Sequence, residues 1–163
     1  MKYRRLNKEE LLGLEKEFVQ FLSSNTITAD DWVKIKEEKP EQAEKLIEIF
    51  SDIVFDKILK KVEYLELKSA KNLRTFHCQA EKIYMIGILI EGASELDFTK
   101  EVPVPLMLQQ LQTSDAALKM FKGEKNYAKN REEELFDLMQ QGALISKDGV
   151  LYKTLAQLAQ GNG

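Results

Sequence analysis

The sequence holds one cysteine and one histidine among 163 residues. That excludes a disulfide framework and a Cys/His zinc site of the finger type, and no other metal or cofactor is expected. Its eight glycines form neither G-x-G-x-x-G nor G-x-x-x-x-G-K, so those phosphate-binding loops are absent, and the G-x-S-x-G nucleophile elbow is missing too. Charge of one sign is also lacking. The 24 basic and 27 acidic side chains leave a net −3, without the basic excess that a nucleic-acid surface requires. The longest apolar run, Ile83 to Ile90, falls far short of the roughly 20 residues that span a bilayer. Acidic Glu9 and Glu10 follow the basic start, where a secretory signal would carry an apolar stretch. A cytoplasmic protein, with neither membrane nor nucleic acid as partner, is expected.

What is present is material for a core. Hydrophobic residues make up 44%, enough in a chain of this length to fold as a single domain, 1–163. The irregular stretch 92–105, held extended by Pro103 and Pro105, is the one candidate for an internal joint.

The N-terminal third reads as helices. Asn7 followed by Glu10 predicts a capped start, and Leu11, Leu14, Phe18 and Leu22 continue it at helical spacing. Thr28 with Asp30 and Asp31 predicts a short second helix carrying Trp32. Pro40 suits the first turn of a third, running to about residue 60. On that third helix Ala43, Leu46, Ile47, Phe50, Ile53, Val54 and Ile58 form one stripe, and Glu44, Glu48, Asp52 and Asp56 line the opposite face. Phe55 and Leu59 fall outside the stripe, so the helix is expected to have neighbours on two sides. C-terminal elements or a second copy of the chain would cover those two residues. The acidic row reads as a solvated face, and Lys2, Arg4 and Arg5 as a solvated terminus.

The period then changes. Val62 to Leu67, Leu73 to Cys78 and Ile83 to Ile90 predict an antiparallel three-stranded meander. Short helices are predicted over 106–111 and 114–121, and a longer one over 126–141. Asp148-Gly149 between Ala143-Leu144-Ile145 and Val150-Leu151-Tyr152 predicts a terminal β-hairpin. A last short helix carries Leu155 and Leu158, and Gly161-Asn162-Gly163 reads as a frayed end. The expected class is α+β: an N-terminal three-helix layer, a small antiparallel meander, then C-terminal helices with a terminal hairpin.

Several stretches are familiar together. They are Met1 to Leu6, Thr26 to Trp32, Phe50 to Val54, Lys61 to Glu66 and Gln140 to Ala143. In order and spacing they resemble an uncharacterised bacterial family, a domain of unknown function of about 160 residues. The resemblance implies one intact domain and assigns no functional residue.

The chemistry-bearing residues are few. His77 and Cys78 are neighbours on a strand, so their side chains point to opposite faces and cannot form a nucleophile–base pair. The unit 135–152 is similar to a winged-helix ending, but Glu132, Glu133 and Glu134 lie where phosphate-binding cations belong. Trp32 is either a packed ring or a binding anchor. On an unbroken first helix Glu15 falls inside the stripe of Leu11, Phe18, Val19 and Leu22. A buried carboxylate must be paired, hydrogen-bonded or protonated, and Arg131 is its candidate partner. Glu15, Trp32, Phe55, Leu59 and Arg131 are therefore the candidate binding residues, with no catalytic set. The expected function is a non-enzymatic interaction or regulatory module that binds a protein partner or itself. A small carboxylate-dependent enzyme is the alternative.

Overall fold

The computed structural model describes residues 1–92, 94–114 and 116–161. Among these the chain is α+β, with seven helices and one five-stranded antiparallel sheet. Asn162 and Gly163, expected as part of a frayed end, lie outside the described residues. The chain divides into two compact units, 1–60 and 61–163, each described by itself. The stretch 92–105 runs inside the second unit, where Phe98 belongs to the core.

The first unit contains α1 (Lys8–Gly13), α2 (Glu15–Ser24), α3 (Ala29–Glu38) and α4 (Pro40–Lys61). Asn7 and Glu10 form the expected capping box, and Thr28 with Asp31 forms a second one at α3. These satisfy backbone amides that a helix start leaves open. The single first helix of the sequence reading is two, because Leu14 leaves helical geometry at φ −113° and ψ 25°. The break resets the helical phase after Gly13. At the far end of α2 the amides of Thr26 and Ile27 bond to the carbonyls of Ser23 and Leu22, 3.0 and 2.9 Å. This is a Schellman ending, a position that favours glycine. Thr26 fills it at φ +58°, a conformation costly for a β-branched residue.

The core of this unit is aromatic. The Phe18 ring lies 5.0 Å from Phe50 and 5.1 Å from Trp32, and Phe21 lies 5.5 Å from Phe50. The α4 stripe is less covered than expected, with Ile53 and Ile58 49% and 42% exposed.

The acidic row and the basic start are not two solvated features but one joint. The amides of Lys2 and Tyr3 donate to Asp52 at 2.8 and 3.1 Å. The Tyr3 hydroxyl donates to Asp56, and Arg5 pairs with Glu44. Leu6 N donates to the buried Ser51 hydroxyl at 2.9 Å, which itself donates to Ile47 O. Phe55 is half-buried, 5.8 Å from the Tyr3 ring, with the Arg4 guanidinium 4.9 Å from its own ring centre. The chain start therefore covers Phe55, a neighbour that the expectation of C-terminal elements or a second copy did not name. Leu59 is fully buried.

The second unit holds β1 (Tyr64–Lys68), β2 (Asn72–Cys78), β3 (Lys82–Glu91), α5 (Val104–Thr113), β4 (Ala117–Asn126), α6 (Arg131–Gln140), β5 (Leu144–Ser146) and α7 (Val150–Gly161). Strand order is β4-β3-β2-β1-β5. The expected meander is its centre, extended by one strand on each side. Residues 114–121 were expected as a helix. Instead 117–126 pair with β3 over ten positions, and Leu118 and Met120 alternate with Lys119 and Phe121. Pairing to a buried neighbour overrides the helix propensity of Ala, Leu, Lys and Met. Lys119, Lys122 and Lys125 guard this edge strand against further pairing.

The terminal hairpin does not form, and with it goes the wing. β5 pairs with β1, and Val150-Leu151-Tyr152 opens α7. Leu151, Leu155 and Leu158 recur at helical spacing, a signal stronger than the Asp-Gly turn. Gly149 does have positive φ, +61°, but a Cβ there would come within 2.5 Å of the Tyr64 ring. On one sheet face Leu73, Ile86, Ile88 and Ile90 pack with Met107 and Leu111 of α5 and Leu151 and Leu155 of α7. On the other face the Phe121 ring lies over Gly87, where a Cβ would meet it at 2.3 Å.

Two positive-φ positions give opposite expectations. Thr26→Gly should raise stability by about 1 kcal/mol, since the left-handed strain disappears. Gly149→Ala should lower it by about 2 kcal/mol or more, from backbone strain plus the clash with Tyr64. Denaturant midpoints of the two variants measure both.

The chain start should weaken in acid. Hydrogen bonding from Arg4 first, then from the Asn7 amide, holds Glu10 down at about 2 against 4.5, and the Tyr3 hydroxyl holds Asp56 below its ordinary value. A depressed folded-state pKa stabilises above the ordinary carboxylate range and is lost as pH falls through the folded value. Thermal midpoints should fall between about pH 4.5 and 2, and fall less in Glu10→Gln.

Candidate functional site

Helix α6 lies against the sheet face that carries Phe76, Ile83 and Met85. Its first residue, Arg131, fixes it there. The guanidinium donates to the carbonyls of Gln79, Val62 and Cys78 at 3.1, 2.5 and 3.0 Å. The Tyr127 hydroxyl donates to Gln79 O as well, at 2.8 Å. One turn on, Leu135 is fully buried. The helix ends in a second Schellman turn, with Gly142 at φ +113° and Ala143 N bonded to Leu138 O at 3.1 Å.

Between this helix and the β3–β4 side of the sheet is a cleft of about 440 Å³. Phe76, Ile83, Met85 and Leu138 give it apolar walls, and Glu134, Lys125, Lys129 and Asp137 are among its polar lining. Gly123 keeps part of the floor open. A Cβ there would touch only the Met85 methyl, at 3.4 Å.

Glu134 divides its carboxylate between two tasks. Oε1 accepts from the amides of Ala128 and Lys129 at 2.6 and 3.2 Å, which pins the β4–α6 connection. Oε2 is buried and has no hydrogen-bond partner. The Lys125 ammonium stands 3.7 Å from it, an ion pair beyond hydrogen-bond reach. Only 11% of the Glu134 side chain is exposed, against 64% for Lys125. At the rim Lys129 donates to Asp137 at 2.8 Å, which holds the lysine above its ordinary pKa.

The sequence-derived candidates separate. Trp32 is half-buried in the aromatic core of the first unit, and on α4 Phe55 is half-buried and Leu59 buried. Glu15 is exposed. The break at Leu14 removes it from the stripe and puts it in the first turn of α2, where an acid favours the helix dipole. Glu15 is therefore not the buried carboxylate that was expected, and Arg131 directs its donors to backbone carbonyls instead. Of the five, Arg131 alone borders the cleft's supporting structure. Glu134 was read only as part of an acidic run. The available signal was its spacing, since Leu138 lies one turn further on the same helix face.

His77 and Cys78 do lie on opposite faces. The His77 ring stacks on Tyr64 at 4.6 Å and lies 5.4 Å from Tyr152. Burial, then Lys153, lowers its pKa, while Glu63 opposes. Burial pushes the Cys78 thiol up to about 12, so it stays protonated at neutral pH.

Arg131→Met should cost about 2–4 kcal/mol, because charge-assisted bonds to three carbonyls are lost. Glu15→Gln should stay within about 0.5 kcal/mol of the parent, as an exposed substitution does. Urea unfolding of both checks the division.

No curated protein and no solved structure matches the chain. Residues 1–160 match a family of unknown function, DUF6495, which meets the expectation of a domain of unknown function of about this length. The chain belongs to that family.

Proposed function

We propose that this protein is a non-enzymatic regulatory module that binds a small ligand in the α6 cleft. The observation that carries this reading is the cleft itself, about 440 Å³ of largely apolar space around one buried carboxylate oxygen. Ligand sites are typically concave, apolar and oriented by a few polar groups. General acid–base work is less well supported. One Glu134 oxygen is held by two amides, and Asp137 is tied to Lys129. A second reading, contact with a protein partner, is favoured by β5. On this three-residue edge strand Leu144 and Ile145 are 71% and 43% exposed, and an extended segment of the partner would add there as a further strand.

An uncharged apolar dye, N-phenyl-1-naphthylamine, tests the cleft. The wild type should take up one equivalent with a rise in fluorescence. Gly123→Val should take up none, while its unfolding midpoint moves little, because the added carbons enter open space. Equal uptake by a folded Gly123→Val protein would remove the cleft from the function.

A further inference from the structure

Resting on that reading of the cleft, we infer that its ligand is a small organic amine, an apolar body tipped with an ammonium group. The geometry starts from Glu134 Oε2, a buried carboxyl oxygen with no hydrogen bond. Such an atom is costly unless something donates to it. Its sister oxygen cannot share the deficit, since two backbone amides already fix it. Lys129 is already bound to Asp137, so Lys125 is left as the cationic neighbour of that oxygen, and a carboxylate oxygen short of a donor selects a cationic donor over an anion.

Lys125 then acts as a placeholder. Its ammonium stands 3.7 Å from Oε2, too far to donate, on a side chain that is mostly exposed. A ligand ammonium entering along Phe76, Ile83, Met85 and Leu138 exchanges for it and reaches hydrogen-bond distance. The apolar body covers the walls, and the lysine returns to water at little cost. A free small molecule fits better than a protein surface. The volume lies at the low end of the about 300–1,000 Å³ typical of small-molecule sites, and the oxygen lies too deep for a flat contact.

Three probes of similar shape test this by amide-detected NMR titration: phenethylamine, 2-phenylethanol and 3-phenylpropionate. Phenethylamine should bind at least tenfold tighter than the alcohol, and the carboxylate weakest. In Glu134→Gln the amide oxygen still accepts from Ala128 and Lys129, so the fold is kept, and the amine's advantage should shrink to within twofold. In Lys125→Met the amine should bind several-fold tighter. Equal binding of amine and alcohol to the wild type, or an advantage that survives in Glu134→Gln, overturns the amine assignment and leaves the cleft reading in place. Weaker amine binding in Lys125→Met rejects the placeholder role. If none of the three binds the wild type, the cleft reading falls and the amine assignment falls with it.

Discussion

The second unit depends on one cation placed among carbonyls. Where β2 ends and β1 is about to begin, the backbone oxygens of Val62, Cys78 and Gln79 converge, and the Arg131 guanidinium meets all three. A planar fork of donors suits this task, and an ammonium would not span it. Because Arg131 is also the first residue of α6, the same contact sets where the helix starts on the sheet. Leu135 then lands in the core one turn later, and Glu134 lands in the lining of the cleft. The neighbouring Cys78 thiol is sealed by the same packing. Structure and candidate site thus share a single anchor.

Local rules carried the helical third far. Capping pairs at Asn7 and Thr28, and Pro40 at a helix start, are short-range devices, and all three appear where the spacing places them. The meander was legible for the same reason, since period-2 patterns and hairpin-length breaks are local. What was not legible required partners distant in sequence. Residues 117–126 have helix-forming composition, and only β3 makes them a strand. The acidic row of α4 and the basic start each look solvated alone, because some 40 to 50 residues separate Arg5 from Glu44 and Lys2 from Asp52. The break at Leu14 follows Gly13, a single helix-weakening residue that the apolar spacing outweighed, and it shifts the phase of all that follows, Glu15 included.

The site was harder still. Glu132, Glu133 and Glu134 have the same side chain and differ only in rotation about one helix. Rotation separates the residue facing the sheet from its two neighbours, but it says nothing of whether a gap lies in front of it. That gap arises from Gly123 on a strand the pattern did not reveal. A carboxylate with one oxygen fixed and the other unsatisfied is a property of three segments together.

The Phe121 ring over Gly87 has a consequence for how β3 and β4 find their alignment. A shift of one residue along this pair would exchange the two faces of the strand and is opposed by burial. A shift of two would keep the faces, and hydrophobic pattern alone hardly opposes it. On the face that meets Phe121, however, β3 presents Ile83, Met85, Gly87, Leu89 and Glu91. Only the glycine lacks a Cβ, so every two-step slip drives the ring into a side chain. The missing carbon acts as a notch that accepts one alignment of the ten-pair ladder and rejects the staggered ones during assembly.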